Sequence, residues 1–279
     1  MPTALVTGAA RGIGRASALR LAAGGWDVVA GVRREEDGQD LVAAGEGRIE
    51  PVLLDITDAE HLAALPEAVP ESLDALVNNA GIVVAGPVEA VPLDELRRQL
   101  EVNLIGQVAV TQAVMPRLRA ARGRIVFVSS LSGRVAAPMS GPYSASKFAL
   151  EGLADALRME VRPWGVRVVL IEPAQTDTAL WREAESALEE SVAALSPAHR
   201  ELYAQHIAGY RRSIPRSQRM ASPVDGVAAA IERALTARRP RARYVVGAGP
   251  RVQGLMAALT PTAVLDATLR AATGVPRRL

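Results

Sequence analysis

A tyrosine and a lysine four residues apart carry the clearest chemical signal in this sequence of 279 residues. Tyr143 and Lys147 lie in a segment with helical periodicity, so their side chains share one face. A phenol with a pKa near 10 is a poor base at neutral pH, and a neighbouring ammonium lowers that pKa by stabilising the phenolate. Alone, the pair also fits an ordinary surface contact. Lys147 is the single lysine in the chain, however, which indicates a position where arginine does not serve.

Two other polar residue types are candidates for the same chemistry. Asparagine occurs only three times, at Asn78, Asn79 and Asn103. Asn103 also fits an ordinary polar position within a helix, but its rarity favours a specific role. Three serines follow an apolar run and could supply a hydroxyl near Tyr143: Ser129, Ser130 and Ser132.

A glycine-rich loop, Thr-Gly-Ala-Ala-Arg-Gly-Ile-Gly over residues 7–14, follows the first predicted strand and opens the first predicted helix. Glycines let the backbone turn sharply and approach a pyrophosphate, which the free N–H groups of a helix N-terminus stabilise. The spacing differs from the common Gly-x-Gly-x-x-Gly dinucleotide motif. The position of the loop nevertheless favours a phosphate-binding turn over an ordinary one.

The elements around these residues alternate between β-branched runs and helical patterns. Strands are predicted at 4–6, 27–32, 49–54, 73–77, 124–128, 166–171 and 243–246. Helices are predicted at 13–23, 58–67, 93–120 and 143–162. Apolar strands separated by helices are typical of a parallel sheet covered on both faces. The sequence thus predicts an α/β, doubly wound, Rossmann-like single domain over residues 1–279, with ligands bound beyond the carboxyl ends of its strands.

The chain between the sixth and seventh predicted strands is longer than one crossover helix needs. A helix-prone segment, 179–210, carries a set of aliphatic and aromatic side chains: Leu180, Trp181, Leu188, Leu195, Tyr203, Ile207 and Tyr210. Such a segment could cover a lipophilic ligand, or pack against the core or a partner subunit. We predict a substrate cap at about 179–220 and a C-terminal tail at about 250–279, with a short helix at 263–272.

In this order, the motifs resemble those of the short-chain dehydrogenase/reductase family. The resemblance covers residues 3–178 closely and 220–247 loosely, and includes Asn-Asn-Ala-Gly at 78–81 and Tyr-x-x-x-Lys at 143–147. It implies hydride transfer between a nicotinamide and a CH–OH group. Tyr143 would be the acid/base, Lys147 its activator and a cofactor ligand, Ser130 the partner of the carbonyl oxygen, and Asn103 the holder of a relay water. Pro173-Ala174 departs from the family's Pro-Gly, and alanine restricts the backbone there.

The resemblance also implies the cofactor-binding residues, which are Gly8, Arg11, Gly12, Ile13, Gly14, Arg33, Asp55, Asn79, Ala80, Gly81, Tyr143, Lys147, Pro173, Thr176 and Thr178. Asp55 would contact the adenine, and Asn79 the neighbouring ribose. Where dinucleotide-binding folds place an acidic residue on the adenosine ribose, this chain has Val32, followed by Arg33 and Arg34. Arginine suits a 2′-phosphate, so we expect NADP (NADPH) to be preferred over NAD. The two arginines also fit the start of a polar loop.

The substrate expected from the resemblance is a secondary alcohol or ketone with an apolar body, because the enlarged cap is similar to that of members acting on steroids or retinol. Two alternatives stay open: reduction of 3-oxoacyl thioesters, and a regulator that senses NADP without turnover. A third interpretation, an interaction surface for membrane or nucleic acid, draws on the arginine-rich stretches 211–219 and 238–243 and on the apolar tail. The family also implies a homo-oligomer.

Composition excludes several other classes. Without cysteine there is no disulfide scaffold, thiolate zinc site or thiol catalysis. The histidines match no metal spacing, so we expect no metal: His61, His199 and His206. A net charge of +2 gives little support for a nucleic-acid partner. Since there is neither a long apolar run nor a secretory signal pattern, we expect no transmembrane segment and a cytoplasmic location.

Overall fold

A parallel sheet of seven strands, in the order β3-β2-β1-β4-β5-β6-β7, organises the chain. The computed structural model describes residues 1–177, 184–219, 221–247 and 260–276. The strands are β1 Thr3–Thr7, β2 Asp27–Val32, β3 Ile49–Leu53, β4 Ala75–Asn78, β5 Arg124–Val128, β6 Arg167–Pro173 and β7 Arg243–Val246. The order reverses direction between β1 and β4, and the carboxyl ends of these strands flank the crevice where such sheets bind ligands.

Helices cover both faces of this sheet. In chain order, the α-helices of the described residues are α1 Gly12–Ala23, α2 Glu35–Ala44, α3 Ala59–Ala64, α4 Leu93–Leu100, α5 Gly106–Ala121, α6 Gly141–Glu160, α7 Ala184–Ala193, α8 Pro197–Leu202, α9 Ala204–Arg219, α10 Val224–Thr236 and α11 Thr262–Thr273. Alternate residues of β1 pack into two hydrophobic cores, one on each face of the sheet. Ala4 and Val6 belong to the core that contains α1, α2 and α10. Leu5 belongs to the core of α5 and α6. The doubly wound α/β fold predicted from the sequence is confirmed.

The predicted strand bounds match at β2, β5 and β7, lie within one residue at β1 and β3, and differ further at β4 and β6 because of contacts with distant residues. Strand β4 begins at Ala75, two residues later than predicted, because the Leu73 amide donates to the Arg117 carbonyl of α5 at 3.2 Å. Strand β6 continues to Pro173, which lies opposite Val246 of β7. Pairing with the last strand therefore carries the sixth into the loop that follows it.

The long helix predicted over 93–120 is divided. A π-helical turn, Glu101–Ile105, separates α4 from α5. Asn103 lies within this turn and is fully buried. Its amide oxygen accepts from the Ile82 amide at 2.8 Å, and its amide nitrogen donates to the Ile82 carbonyl at 3.0 Å. A polar side chain that satisfies a neighbouring loop thus coincides with the break in the helix, as π turns at functional sites often do.

The segment predicted as a cap forms α7, α8 and α9. Of the side chains predicted to line it, Leu180 and Trp181 lie outside the described residues, whereas Leu188, Leu195 and Ile207 are buried together with Ile214 and Met139. The predicted helix-prone segment ended at 210, but α9 continues to Arg219. Two hydroxyls fasten this cap to the rest of the domain. The Tyr203 hydroxyl donates to the Glu89 carboxylate, and Tyr210 lies 3.4 Å from Ser140.

Met139 connects the cap to helix α6. Its φ angle of +67° lies in the left-handed region, which is uncommon for a residue with a side chain. Its carbonyl accepts from the Gly86 amide at 2.8 Å, while its side chain is buried in the cap core. Helix α6 begins two residues later. The chain therefore turns sharply between the cap contact and the helix that carries Tyr143.

The tail helix α11 packs on α9 through two glycines. A Cβ added to Gly209 would lie 2.3 Å from the Gly274 carbonyl oxygen, so the two backbones are in direct contact. The predicted tail helix, 263–272, is confirmed within one residue at each end. Among the helices of the described residues, none has the length and apolar character needed to cross a membrane.

Candidate active site

The glycine loop between β1 and α1 is tied to the end of β4. The Thr7 hydroxyl oxygen accepts hydrogen bonds from the Asn79 and Ala80 amides at 3.0 and 3.1 Å. The Asn79 side-chain amide donates to the carbonyls of Thr7 and Gly8 at 3.0 and 3.2 Å. Asn79, predicted to lie near the cofactor ribose, therefore uses its amide group to hold the phosphate loop.

Two glycines of this loop need their lack of a side chain. Gly8 has φ +64°, which L residues rarely adopt. A Cβ on Gly14 would lie 2.2 Å from the Gly8 carbonyl oxygen. Helix α1 begins with no acidic residue in its first turn and no side-chain cap at Arg11. Its first amides are therefore suited to an anion.

Arginines surround the end of β2. Val32 is buried, and the next residue, Arg33, is exposed. Arg34 forms an ion pair with Asp37 at 3.0 Å. The hydrogen bond that Arg34 donates in this ion pair is the largest cause of the lowered Asp37 pKa, and the charges of Arg33 and Arg11 lower that pKa further. These arginines do not start a loop, because Glu35 already opens helix α2, whose acidic first turn suits a helix N-terminus.

Asp55 and the residues after β4 occupy the same end of the sheet. One carboxylate oxygen of Asp55 accepts from the Thr57 amide and hydroxyl at 2.9 and 2.7 Å, so it closes its own turn. The Asp55 amide donates to the His61 ring at 3.1 Å. A Cβ on Gly81 would lie 3.2 Å from the amide oxygen of Asn103. The contacts predicted between these residues and the cofactor stay predictions.

The predicted catalytic side chains come together between β5 and α6. Tyr143 lies in the first turn of α6, and its hydroxyl is hydrogen-bonded to Ser130. The Ser130 hydroxyl also accepts from the Ser132 amide at 3.1 Å. Lys147 is 4% exposed, and its ammonium donates to the Val128 carbonyl at 2.8 Å. The Lys147 Nζ atom lies 5.9 Å from the centre of the Tyr143 ring.

The pKa of Tyr143 is shifted by its surroundings in the folded protein. Burial raises it above its ordinary value, and only the hydrogen bond with Ser130 opposes the rise. Burial also lowers the pKa of Lys147 to about 8, against the opposing charge of Glu151. Burial sets the direction of the Tyr143 pKa in this structure, and the lowering expected from the Lys147 ammonium stays a prediction. Tyr143 therefore keeps its proton at neutral pH.

Asn103 is connected to this group through Ser146. The Asn103 amide nitrogen lies 3.2 Å from the Ser146 hydroxyl, which donates to the Tyr143 carbonyl at 2.7 Å. Asn103 thus supports the first turn of α6, and both atoms of its amide already have protein partners. Its predicted role as holder of a relay water stays a prediction.

The loop after β6 completes the site, as far as it is described. The Ala174 amide donates to the Val246 carbonyl at 3.2 Å, and Ala174 is not among the described residues with positive φ. Alanine is therefore accommodated where the family has glycine. Thr176 is buried, with its hydroxyl on the Ala174 carbonyl at 3.0 Å. Thr178, another predicted cofactor residue, lies outside the described residues.

Four charged residues behind the catalytic group were missed by sequence reasoning: Arg134, Glu151, Glu172 and Arg243. Two signals could have found the two carboxylates. Glu151 follows Lys147 by four residues on the same helix, and Glu172 directly follows the apolar run of the sixth strand. Their partners could not be found this way, because Arg243 is distant in the sequence. In the described part of the chain, no group of three or more acidic or histidine side chains is placed to hold a metal.

Known proteins of one family are similar to this chain. A family model described as short chain dehydrogenase matches residues 2–189. The NADPH-dependent 3-dehydrocapnine reductase of Ornithobacterium rhinotracheale is 34% identical over 95% of both chains. Mouse retinol dehydrogenase 5 is 36% identical over 95% of this chain and 86% of that protein. A short chain dehydrogenase from Burkholderia cenocepacia, solved in complex with NADP, has a TM-score of 0.76 and 28% identity over 96% of this chain and 97% of that one.

Proposed function

Because the chain belongs to the short-chain dehydrogenase/reductase family, whose members are oxidoreductases acting on alcohols and ketones, we propose that it reduces an apolar ketone with NADPH, and oxidises the alcohol in reverse. The observation that carries the proposal is the cluster of Ser130, Tyr143 and Lys147 beside a glycine loop, at the carboxyl ends of parallel strands. We also propose a homo-oligomer, by resemblance to the family, and the cytoplasmic location expected from the sequence stays a prediction.

The loop residues fit a dinucleotide. Gly14 has no side chain that would meet the Gly8 carbonyl, so the glycine loop packs directly against the start of α1. The first amides of α1 would hold the pyrophosphate, and Lys147 would reach the ribose next to the nicotinamide. When bound, the nicotinamide supplies or accepts the hydride.

Tyr143 supplies the proton in the direction of reduction. Since burial raises its pKa, the phenol is protonated at neutral pH and can donate to the carbonyl oxygen of the ketone. The Ser130 hydroxyl would bond to the same oxygen and to the phenolate left after transfer. The Lys147 ammonium, held by the Val128 carbonyl, stabilises that phenolate by its charge. In oxidation the same groups act in reverse.

Replacement of Tyr143 by Phe tests this assignment. Tyr143→Phe removes the proton donor but keeps the ring, so it should abolish turnover and leave NADPH binding within about threefold of the original, a difference of less than 1 kcal/mol. The matched control is Tyr244→Phe, which makes the same change on β7 and should retain activity. Ketone reduction that persists in Tyr143→Phe would remove the tyrosine from the mechanism. A wild-type protein that binds NADPH but reduces no ketone would favour the sensing regulator.

The preference for NADPH is proposed from the end of β2. Val32 cannot accept a hydrogen bond from a ribose hydroxyl, and the exposed Arg33 guanidinium can bind a 2′-phosphate. The reductase relative named as NADPH-dependent supports the same choice.

Thermal unfolding with each cofactor tests this preference. A ligand at about a hundred times its Kd adds roughly 2.7 kcal/mol to the folded state, so NADPH should raise the Tm of the wild type more than NADH does. The double variant Val32→Asp with Arg33→Ala should reverse the order. Arg34→Ala is the control, because Arg34 is held by Asp37 and its loss should leave the order unchanged. A double variant that still prefers NADPH would contradict the proposal.

The apolar body of the substrate is proposed from the cap. Its buried core consists of aliphatic side chains and Met139, and the hydroxyl of Tyr210, which packs against that core, lies 3.4 Å from Ser140, the residue before α6. The relative named for retinol, an alcohol with a long apolar body, supports this substrate class. Ketones of increasing chain length should show rising kcat/KM, since each buried methylene contributes about 0.8 kcal/mol. Equal kcat/KM for short and long ketones would exclude an apolar substrate site, and preference for a 3-oxoacyl thioester would favour that alternative.

A further inference from the structure

Two carboxylates are buried directly behind the catalytic group and are held by two arginines. Glu172 on β6 is fully buried, and one of its oxygens accepts from Arg134 at 2.7 Å and lies 3.2 Å from Arg243. Glu151 on α6 is 8% exposed and accepts from the same Arg243 nitrogen at 3.0 Å. We call Glu151 and Glu172 the carboxylate pair. One guanidinium on β7 therefore connects carboxylates from two other elements.

The carboxylate pair borders each element that carries a catalytic residue. Glu151 follows Lys147 by one helical turn. Gly133, in the turn that follows Ser130, packs against both Glu151 and Lys147. A Cβ at Gly133 would lie 3.0 Å from the Glu151 side chain and 3.0 Å from the Lys147 carbonyl oxygen. Arg134 leaves that same turn to reach Glu172, the residue before Pro173. The cluster thus joins the Ser130 turn, the catalytic helix and the end of β6.

A contribution to folding stability alone does not explain this buried cluster of charges. Buried charges lose their hydration, and replacing such clusters by apolar residues is often neutral or stabilising. Within the described part of the chain, one oxygen of each carboxylate, Glu151 Oε1 and Glu172 Oε2, is buried without a hydrogen-bond partner. Burial and the neighbouring Glu151 charge raise the pKa of Glu172, whereas Arg134 and Arg243 oppose the rise. Negative charge is kept close to Lys147 despite this cost.

We propose that Glu151 and Glu172 are positioning residues for the reaction: clamped by Arg243 and Arg134, they keep the Lys147 ammonium charged and fix α6 against β6 and the Ser130 turn. The inference rests on the proposed function for its link to catalysis. Glu151 acts on Lys147 through its charge, and this charge opposes the effect of burial on the lysine. Glu172 acts by holding Arg243 and Arg134 in place.

The polar and charged groups near Lys147 come from several elements. Helix α6 contributes Tyr143 and Glu151, and β5 contributes the Val128 carbonyl. The turn after Ser130 contributes Arg134, and β6 and β7 contribute Glu172 and Arg243. Glu151 is the acidic group whose charge acts directly on the lysine. Loss of that charge should therefore deprotonate Lys147 at a lower pH.

A titration of Lys147 provides a test that requires no substrate. Because the chain has one lysine, isotope-labelled lysine gives a single side-chain signal whose pH dependence reports this ammonium alone. Glu151→Gln should move the midpoint down by about half a pH unit or more. Asp155→Asn is the matched control: it also removes a carboxylate held by Arg243, one turn further along α6, and should leave the midpoint in place. Glu151→Asp, which keeps the charge, should restore most of the original midpoint.

The pH profile of kcat/KM for ketone reduction provides the second readout. The fall in activity at high pH should move to lower pH in Glu151→Gln by the same amount as the lysine midpoint, and stay in place in Asp155→Asn. Glu172→Gln should lower kcat with little change in NADPH affinity. If Glu172→Gln does not fold, Glu151→Gln decides the question alone.

The inference would be overturned if Glu151→Gln changed neither the titration midpoint of Lys147 nor the pH profile of kcat/KM. Equal shifts of the midpoint in Glu151→Gln and Asp155→Asn would also overturn it. A wild-type protein without turnover would instead refute the proposed function, and the lysine titration would still decide whether the carboxylate pair acts on Lys147.

Discussion

The buried ammonium of Lys147 makes folding stability depend on pH in a way that one substitution can isolate. Burial lowers its pKa from the ordinary 10.5 to about 8. Between these values the unfolded chain binds the proton and the folded chain does not, so raising the pH favours the folded state. One pKa unit is worth about 1.4 kcal/mol, so the full difference corresponds to about 3 kcal/mol. About 2 kcal/mol of it falls between pH 7 and pH 9.5.

Lys147→Met removes this titration. The free energy of unfolding of the wild type, minus that of the variant, should therefore rise by about 2 kcal/mol from pH 7 to pH 9.5. Loss of the hydrogen bond to the Val128 carbonyl affects both pH values equally and cancels. Urea unfolding followed by tryptophan fluorescence measures each value.

The control for this measurement is Arg158→Met, on the same helix. A guanidinium stays charged throughout this pH range, so the corresponding difference should be flat. The reasoning would be refuted if the difference in unfolding free energy between wild type and Lys147→Met changed by less than about 0.5 kcal/mol from pH 7 to pH 9.5. The folded lysine would then titrate as it does in water.

Two further substitutions test features of the backbone. Gly209→Ala should destabilise the protein by about 1–3 kcal/mol and expose the C-terminal helix to proteases, because the new Cβ would meet the Gly274 carbonyl oxygen at 2.3 Å; proteolysis at the wild-type rate would contradict the tight contact. Ala174→Gly should lower stability by about 0.4–1 kcal/mol, since Ala174 does not have the positive φ that glycine would favour. A gain in Tm for Ala174→Gly would show that alanine is strained there.

Much of the fold and of the candidate site could be predicted because the signals are local. Strands β2, β5 and β7 are apolar runs bounded by polar residues or turns, and their predicted limits were confirmed. The family, expected from its motifs, was confirmed by the similarity to known dehydrogenases. Tyr143 and Lys147 share a helix face as their spacing predicts, and Ser130 lies beside the tyrosine.

The features that could not be predicted depend on distant partners. The break at Asn103 arises from hydrogen bonds to the Ile82 backbone, which no periodicity within the helix reveals. The direction of the Tyr143 pKa follows from desolvation, which depends on everything packed around it. Helix α2 was not predicted, because three consecutive acidic residues, Glu35, Glu36 and Asp37, are typical of a polar loop. The same residues are also favourable in the first turn of a helix, and that is where the structure places them.

The left-handed backbone of Met139 has a consequence for how the protein opens. A non-glycine residue in this region carries about 1 kcal/mol or more of strain, and here the packing of its side chain into the cap core offsets that strain. If the cap detaches, the backbone at Met139 can relax, and the first turn of α6 loses its fixed entry. The cap and the segment bearing Tyr143 therefore form one cooperative unit, whose amides we expect to exchange with solvent together. Under the proposed function, release of a bulky product and temporary loss of the proton donor would then be the same event.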